Sequence, residues 1–413
     1  MKPAMTTALS AAPAIAAAAA AASAAPTSTD ALLGVYRRPP MEIVRGAGVE
    51  LFDADGKAYL DFVAGIAVNA LGYGDEGLER AMREAIEGSV VHVSNLYRTA
   101  PGERLAEKLV ERTFADRVFF CNSGAEANEG AFKIARRWGR ATGGAAKHEI
   151  IALRGAFHGR LFGTLAATDR PSYRAPFRPL AGGISIVERD LEELDAALNP
   201  ATVAAVIAEP VQGEGGVRVL EHTFLQALRD MTRARGIALI LDEIQCGYGR
   251  TGTFLAHEQA GIEPDILTVA KPMAGGLPMG AILATQAVAD TMQPGDHGTT
   301  FGGGPFLSTV ALHVFDRLSD PALLAHVKSN GAWLRKALQK IVDRSAKARA
   351  VRGIGYMWGI DVVDPAKDVV ARALDAGLLI CSAGEHTVRL LPPLVMKRAD
   401  LERGLGILSA VIG

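Results

Sequence analysis

The chain has 413 residues, 49% of them hydrophobic and 22% charged, which is typical of a globular protein with one large and one smaller domain. Lys and Arg number 44 against 45 Asp and Glu, so the formal net charge is −1 and the composition argues against a nucleic-acid-binding or polybasic membrane surface. Cys121, Cys246 and Cys381 stand far apart, which argues against a disulfide framework and against a structural zinc site.

The first residues have a low-complexity composition. Alanine dominates residues 4–25, and we predict a disordered extension over residues 1–30. The alternative is a targeting peptide, because Lys2 precedes the apolar stretch and Ala22-Ser23-Ala24 is similar to a cleavage site. Alanine is only weakly apolar and the stretch has one basic residue before it, so we prefer the extension and expect a cytoplasmic protein. No later apolar run is long enough to span a bilayer.

From Leu32 onward, segments with strand and helix patterns alternate along the chain. An early strand and turn are expected at residues 59–66, followed by a helix at 76–88 in which Leu78, Met82 and Ile86 repeat at helical spacing. Strands are then expected at residues 118–121, 149–153, 203–208, 237–241 and 266–270, with helices at 125–140 and 223–235. The C-terminal elements are expected at residues 308–318, 323–342, 355–362 and 398–411.

This alternation predicts βαβ units and therefore an α/β protein whose central sheet is mainly parallel and buried on both faces. We expect a large domain over residues 75–304 and a smaller α/β domain over residues 305–413. Residues 31–74 are expected to contribute to the small domain. Ligands of such sheets bind at the carboxyl ends of the strands, so the residues that follow each strand are the candidates for chemistry.

Polar or small residues follow each of these five strands. Those residues are, in chain order, Asn122-Ser123-Gly124-Ala125, Phe157-His158-Gly159-Arg160, Glu209, Asp242 and Lys271. Taken singly, Asp242 suits a helix cap, Lys271 a solvated loop charge and His158 a packing residue. Taken together, they place a helix N-terminus that suits a phosphate, an aromatic ring, a carboxylate and a lysine at one edge of the sheet.

Pyridoxal 5'-phosphate is the cofactor that needs this combination. Its aldehyde bonds to a lysine, its pyridine nitrogen pairs with a carboxylate, and its phosphate needs backbone N–H groups. The lysine must be uncharged to react, and burial in a pocket lowers a lysine pKa. We therefore expect Lys271 and Asp242 to be catalytic and expect no metal in the site.

The same residues give the sequence a resemblance to the class III, fold-type-I aminotransferases over nearly the whole chain after Val35. The segments that carry it are Asp61-Phe62-Val63-Ala64-Gly65-Ile66-Ala67-Val68-Asn69, Asn122-Ser123-Gly124-Ala125-Glu126-Ala127, Phe157-His158-Gly159-Arg160, Glu209-Pro210-Val211-Gln212-Gly213-Glu214, Asp242-Glu243-Ile244-Gln245, Gly249-Arg250-Thr251-Gly252, Ala270-Lys271 and Gly298-Thr299-Thr300-Phe301-Gly302-Gly303. The resemblance implies a fold-type-I architecture, a large cofactor-binding domain and a homodimer.

The resemblance also implies a role for each matching position. The positions implied to bind the cofactor are Ser123, Gly124, Ala125, Phe157, Asp242, Gln245, Lys271 and Thr300. Thr300 is implied to reach the phosphate of the neighbouring subunit. The positions implied to bind substrate are Arg160, Thr299, Glu209 and Arg389. In the ornithine and acetylornithine branches of the family, Glu209 and Arg389 look like a switch pair that closes for one substrate and opens for glutamate.

The reaction that the resemblance implies moves the terminal amino group of N-acetyl-L-ornithine to 2-oxoglutarate, which gives N-acetyl-L-glutamate 5-semialdehyde and L-glutamate, a step of arginine biosynthesis. Other ω-amine transaminases, acting on succinylornithine, ornithine, 4-aminobutyrate or a lysine-biosynthesis substrate, remain open alternatives. An aminomutase of the glutamate-semialdehyde type and a cofactor-binding protein without activity are alternatives of other classes. Besides the second subunit of the homodimer, we expect small-molecule partners, the amino donor and 2-oxoglutarate, with no nucleic acid and no membrane.

Overall fold

The computed structural model describes residues 31–413. Residues 31–42 contain only turns and bends, and Leu33, Val35 and Tyr36 expose most of their side chains. Residues 43–413 form one compact unit that carries the helices and strands given below. The predicted disordered extension over residues 1–30 lies outside the described residues.

A central sheet of mixed direction is formed in the described part of the chain by seven strands. The strands of the protein are β1 (Ile43–Ala47), β2 (Glu50–Asp53), β3 (Ala58–Asp61), β4 (Arg117–Cys121), β5 (Glu149–Leu153), β6 (Ile184–Val187), β7 (Val203–Ala208), β8 (Val211–Gln212), β9 (Arg218–Val219), β10 (Ala238–Asp242), β11 (Ile266–Val269), β12 (Gly280–Ala284), β13 (Ala348–Ile354), β14 (Met357–Val362), β15 (Leu378–Leu379), β16 (Cys381–Ser382) and β17 (Thr387–Leu390). The order in the central sheet is β4-β12-β11-β10-β7-β5-β6. In this sheet β12 runs antiparallel to β4 and β11, and the other strands all run in one direction.

Helices lie between most of these strands. They are α1 (Ala64–Ala67), α2 (Glu76–Glu87), α3 (Ala100–Arg112), α4 (Gly124–Gly143), α5 (Phe162–Ala166), α6 (Pro171–Arg174), α7 (Leu191–Ala197), α8 (His222–Ala234), α9 (Gln286–Ala289), α10 (Pro305–Leu318), α11 (Pro321–Arg344), α12 (Ala366–Asp375) and α13 (Arg398–Ile412). Short 3₁₀ helices occupy Ala175–Phe177, Ala256–Ala260 and Lys271–Ala274.

Both faces of the central sheet are buried at its middle strands, which are almost continuous apolar runs. Every residue of β7 and β10 is buried. Successive side chains alternate between the faces, so Ile240 packs with Ala131 of α4 in one cluster while Leu239 and Leu241 join the larger cluster. Each fully buried aliphatic side chain of this kind contributes about 1.5–3 kcal/mol.

Two four-stranded sheets contain the strands of the C-terminal part of the chain. The order of one is β1-β2-β3-β15, in which β15 runs parallel to β3. The order of the other is β13-β14-β17-β16, and all of its pairings are antiparallel. In this second sheet Arg389 of β17 lies between Gly359 of β14 and Cys381 of β16. The sheet therefore holds the Arg389 backbone from both sides.

The predicted fold class is confirmed. The expected helices and strands are found, most of them with bounds that differ by a few residues, whereas several other elements, among them β1, β2, β6, β12, α3, α7 and α12, are not predicted by the sequence pattern. The division into a large and a small domain, with boundaries at residues 75 and 305, stays a prediction. Within residues 31–413, no helix combines the length and the hydrophobicity that crossing a membrane requires.

Candidate active site

The carboxyl ends of the strands bring the predicted residues to one edge of the central sheet. At this edge the strands end at Cys121, Leu153, Ala208, Asp242 and Val269. Asp242 lies beside Thr268 in the register of β10 and β11, and Lys271 follows three residues after Thr268. The lysine and the carboxylate therefore come from neighbouring strands, as the sequence pattern predicts.

The N-terminus of α4 presents free backbone N–H groups at this edge. Ser123 has extended backbone and its side chain accepts a hydrogen bond from Glu126 N at 3.2 Å. The N–H groups of Gly124 and Ala125 donate to no acceptor within residues 31–413. A Cβ at Gly124 would come within 2.8 Å of Ile244, so only glycine fits here without a shift. Free N–H groups together with the positive end of the helix dipole suit an anion such as phosphate.

A network of buried hydrogen bonds fixes the carboxylate of Asp242, which is only 3% exposed. Its Oδ2 accepts from Asn128 Nδ2 at 2.7 Å and lies 2.8 Å from His158 Nδ1, where a hydrogen bond requires the proton on Nδ1. Its Oδ1 accepts from Ile244 N at 3.1 Å. Three donors from different elements thus hold the carboxylate in a single orientation.

Lys271 begins a 3₁₀ helix with a φ of 35°, a value in the left-handed region that a non-glycine residue rarely adopts. Its ammonium makes no hydrogen bond or ion pair with any other described residue. Burial lowers the pKa of Lys271, the negative charge of Asp242 opposes that shift, and the positive charge of Arg389 adds to it. The uncharged amine is the nucleophilic form, so this environment favours reaction with a carbonyl group.

Glu209 follows β7 and is buried at the same edge. Its Oε1 accepts from Phe157 N at 2.9 Å. Burial, together with the neighbouring charge of Asp242, raises the pKa of Glu209 well above its usual range, although N–H groups of Phe157 and Gly213 oppose the shift. The carboxyl group of Glu209 is therefore used to hold the backbone that carries Phe157.

Arg389 pairs with Glu214, and the predicted pairing with Glu209 is not formed. Arg389 is 2% exposed, and its Nη1 lies 2.7 Å from Glu214 Oε1 and 3.2 Å from Gln245 Oε1. Burial would lower the pKa of Arg389, but Cys381 and Glu214 outweigh it and raise that pKa above its ordinary value. The physical reason for the correction is that backbone N–H groups occupy the carboxyl group of Glu209, whereas Glu214, five residues later, faces the guanidinium.

The remaining predicted residues lie at the more exposed part of the site. Phe157 is half-buried after β5, and Arg160 is exposed with its guanidinium 3.6 Å from the ring centroid of Tyr173. Thr299 Oγ1 accepts from Asn122 Nδ2 at 3.0 Å, so this threonine reaches the helix N-terminus. The hydroxyl of the neighbouring Thr300 is exposed and contacts no polar group in the described part of the chain.

Two residues of the Asp242 network were not predicted from the sequence. Asn128 of α4 donates to Asp242, and its Oδ1 accepts from Thr268 Oγ1 at 2.8 Å. Both side chains are fully buried. The available signal is a polar residue where an apolar one is expected: Asn128 lies on the buried face of α4, and Thr268 interrupts an apolar strand.

Comparison with known proteins identifies the class. Residues 35–412 match the family "Aminotransferase class-III", and the chain therefore belongs to the class-III aminotransferases. Members of this family depend on pyridoxal phosphate, and the chain is a pyridoxal-phosphate-dependent aminotransferase.

Individual relatives are similar over almost the whole chain. The mitochondrial acetylornithine aminotransferase of Alnus glutinosa is 43% identical and is aligned over 91% of this chain and 84% of its own length. The acetylornithine aminotransferase of Methanocaldococcus jannaschii is 42% identical over 92% of this chain and 95% of the relative. Among solved structures, the N-acetylornithine aminotransferase of Stenotrophomonas maltophilia K279a has a TM-score of 0.80 at 36% identity and covers 91% of this chain and 96% of its own. The ornithine aminotransferase of Toxoplasma gondii has a TM-score of 0.89 at 28% identity, covering 93% and 92%.

The residues at the sheet edge fit this cofactor. The free N–H groups of Gly124 and Ala125 suit its phosphate, and the fixed carboxylate of Asp242 suits its pyridine nitrogen. The uncharged amine of Lys271 suits its aldehyde. Phe157 follows β5 and Gln245 follows β10, the two strands that flank β7 in the central sheet. The structure thus brings the predicted cofactor residues together, except Thr300, whose predicted role needs a second subunit.

The lowered pKa of Lys271 predicts a pH dependence of cofactor capture. The amine gains reactivity as it loses its proton, so the rate at which cofactor-free protein captures pyridoxal phosphate should rise with pH to a plateau. The midpoint of this rise should lie below the ordinary lysine pKa of 10.5. Asp242→Asn removes a charge that raises this pKa, so the midpoint should fall further. Arg389→Gln removes a charge that lowers it, so the midpoint should rise. Stopped-flow absorbance measures these rates, and shifts of the same sign in both variants would contradict the assignment.

Proposed function

We propose that this aminotransferase moves the terminal amino group of N-acetyl-L-ornithine to 2-oxoglutarate and forms N-acetyl-L-glutamate 5-semialdehyde and L-glutamate. The observation that carries the proposal is the ion pair at the cofactor site between the buried Arg389 and the half-buried Glu214. The names of relatives that are 42–43% identical over more than nine-tenths of the chain support the same substrate.

The roles of the residues at the sheet edge follow from their chemistry. Pyridoxal phosphate, when bound, supplies a ring that accepts the electrons left behind when a proton leaves the substrate carbon. Ser123, Gly124 and Ala125 would hold the phosphate, and Asp242 would keep a proton on the pyridine nitrogen. Lys271 would bind the cofactor aldehyde through Nζ, and its amine is the general base and acid that would move the proton between the two reacting atoms.

The two substrates place different demands on the site. N-acetylornithine presents its terminal amine and keeps its carboxylate far from the reacting carbon, whereas glutamate reacts at a carbon that carries a carboxylate. Glu214 neutralises Arg389 while the first substrate is bound, so no free cation faces an uncharged part of that molecule. When glutamate binds, Arg389 is released to its α-carboxylate and Arg160 binds the other carboxylate. Glu209, the partner expected from the sequence, instead positions Phe157.

A homodimer completes the phosphate site in this proposal. Thr300 is exposed, and large apolar side chains surround its loop: Phe301 is 58% exposed and Leu96 is 89% exposed. The two segments are joined, since Asn95 Nδ2 donates to Thr299 O at 2.9 Å and His92 packs on Phe301 at 5.3 Å between ring centroids. Such a surface suits a second copy of the chain, and Thr300 would then reach the phosphate of the cofactor bound by that second subunit. The cytoplasmic location stays a prediction.

Ornithine transamination is the second candidate. The Toxoplasma gondii ornithine aminotransferase superposes with the higher TM-score, 0.89 against 0.80, although its identity is lower, 28% against 36%. Both reactions use a terminal amine and glutamate. They differ in whether the site accepts a free or an acylated α-amine.

A substrate panel tests the proposal. The catalytic efficiency with 2-oxoglutarate should be highest for N-acetyl-L-ornithine and lower by at least about tenfold for ornithine, succinylornithine and 4-aminobutyrate, because pocket contacts to one acyl group discriminate at this level. Glutamate release measured with a coupled assay gives kcat/KM for each donor. A preference for ornithine would establish the second candidate, and turnover without any keto acid would contradict transamination.

A further inference from the structure

The loop that carries Glu214 is held by three arginines from different parts of the chain. We define the Glu214 loop as residues 213–217. The carbonyl oxygen of Glu214 accepts from Arg170 Nη2, that of Gly215 from Arg218 Nε at 3.1 Å, and that of Gly216 from Arg352 Nε at 2.6 Å. Three successive carbonyl groups are thus bound by guanidinium groups, which are strong, charge-assisted donors.

Arg352 differs from the other two arginines because it also contacts the strand of Arg389. Its Nη1 and Nη2 bind both oxygens of Asp361 at 2.5 and 2.7 Å. Its Nη2 also lies 3.1 Å from Thr387 Oγ1, and Thr387 donates to Asp361 Oδ1 at 2.7 Å. Thr387 precedes Arg389 by two residues on β17. One guanidinium therefore joins the Glu214 loop to the strand of its ion-pair partner.

The packing around Arg352 leaves the loop little freedom. A Cβ at Gly216 would lie 3.0 Å from Arg352 Nη2 and 3.4 Å from Thr387 Oγ1, and the φ of Gly216 is +96°. Val217 adopts a φ of 52°, which is unfavourable for a β-branched residue and persists only where its surroundings impose it. A Cβ at Gly359 of β14 would lie 3.0 Å from Val217 Cβ. Glycines at 216 and 359 therefore allow the loop to rest directly on the sheet of Arg389.

We propose that Arg352 is a positioning residue that sets the distance between Glu214 and Arg389 and so controls which substrate the site accepts. The inference rests on the proposed function, in which Glu214 neutralises Arg389 for the ω-amino donor alone. Loss of the Arg352 contacts loosens the loop, weakens the ion pair and leaves Arg389 free. The half-reaction with N-acetyl-L-ornithine then suffers, whereas the half-reaction with glutamate, which needs a free Arg389, does not.

The test compares the two half-reactions in single turnovers of the cofactor-loaded enzyme, followed by cofactor absorbance. Arg352→Gln should lower kcat/KM for N-acetyl-L-ornithine by about tenfold relative to glutamate, the loss expected from one charge-assisted contact. Arg352→Lys should fall in between, because an ammonium cannot bind two carboxylate oxygens and Gly216 O in the guanidinium geometry. The matched control is Arg349→Gln, which changes an exposed arginine on the same strand that forms no ion pair within residues 31–413. In this control the ratio of kcat/KM for N-acetyl-L-ornithine to kcat/KM for glutamate should not change.

Glu214→Gln separates failure of the inference from failure of the proposed function. Glu214→Gln should shift the ratio in the same direction, and adding Arg352→Gln to it should change the ratio by less than about twofold, because both act through one ion pair. An effect of Glu214→Gln without an effect of Arg352→Gln or Arg352→Lys overturns the inference alone. No effect of Glu214→Gln overturns the proposed function and the inference with it. Equal losses in both half-reactions would show a merely structural role for Arg352.

Discussion

Lys271→Ala is expected to abolish turnover, with a loss of at least about a thousandfold. The substitution removes the nucleophile and the general base together, and a positioned proton-transfer group alone contributes roughly 10²–10⁴ in rate. The environment of Lys271 is the reason for assigning it this role. It follows the carboxyl end of β11, burial lowers its pKa, and the fixed carboxylate of Asp242 ends the neighbouring strand. Steady-state transamination measures the loss.

The variant should still bind the cofactor, because the N–H groups at the start of α4 do not depend on the lysine. Spectra of the purified variant should show cofactor that dialysis removes, and borohydride treatment should leave no adduct on the peptide that contains position 271. Lys367→Ala, an exposed lysine at the start of α12, is the matched control and should retain full activity and the adduct. Ordinary turnover by Lys271→Ala would refute the assignment of this residue.

Much of this site could be predicted because a general rule links sequence order to position. Once alternating strands and helices indicate a parallel sheet, residues that follow the strands must meet at one edge, however far apart they lie in the chain. Asp242 and Lys271 were found in this way. The reversed strand β12 was not, because a short apolar run such as residues 280–284 does not indicate in which direction it enters the sheet.

The partner of Arg389 shows where such reasoning ends. Glu209 and Glu214 lie five residues apart in one segment, and both are acidic residues near the end of β7. Which of them faces Arg389 depends on the path of the Glu214 loop, which arginines from distant elements hold. Contacts between residues more than a hundred positions apart, such as Arg352 with Gly216, have no local signal in a single sequence. Asn128 and Thr268 gave a weaker signal, as polar residues among apolar ones.

Asp242→Asn is expected to reduce the rate by about 10²–10³-fold while the fold is retained, because an uncharged partner no longer keeps the pyridine nitrogen protonated. The structure also predicts a cost in stability. Both oxygens of Asp242 accept hydrogen bonds, so the amide NH₂ of an asparagine must face either Ile244 N or the pair formed by Asn128 and His158. A buried donor left without an acceptor costs about 1–3 kcal/mol.

A matched carboxylate separates these two effects. Asp265, just before β11 at the opposite end of the sheet, accepts from Leu239 N at 2.7 Å and pairs with Arg229 at 2.6 Å. Asp265→Asn should also lower the unfolding free energy, because it removes the charge that pairs with Arg229, but it should leave the rate of the folded enzyme unchanged, since it lies away from the cofactor edge. Chemical denaturation gives the first quantity and turnover per folded molecule gives the second. If Asp242→Asn loses stability as Asp265→Asn does but keeps a near-normal rate, another group protonates the ring and the role given to Asp242 is wrong.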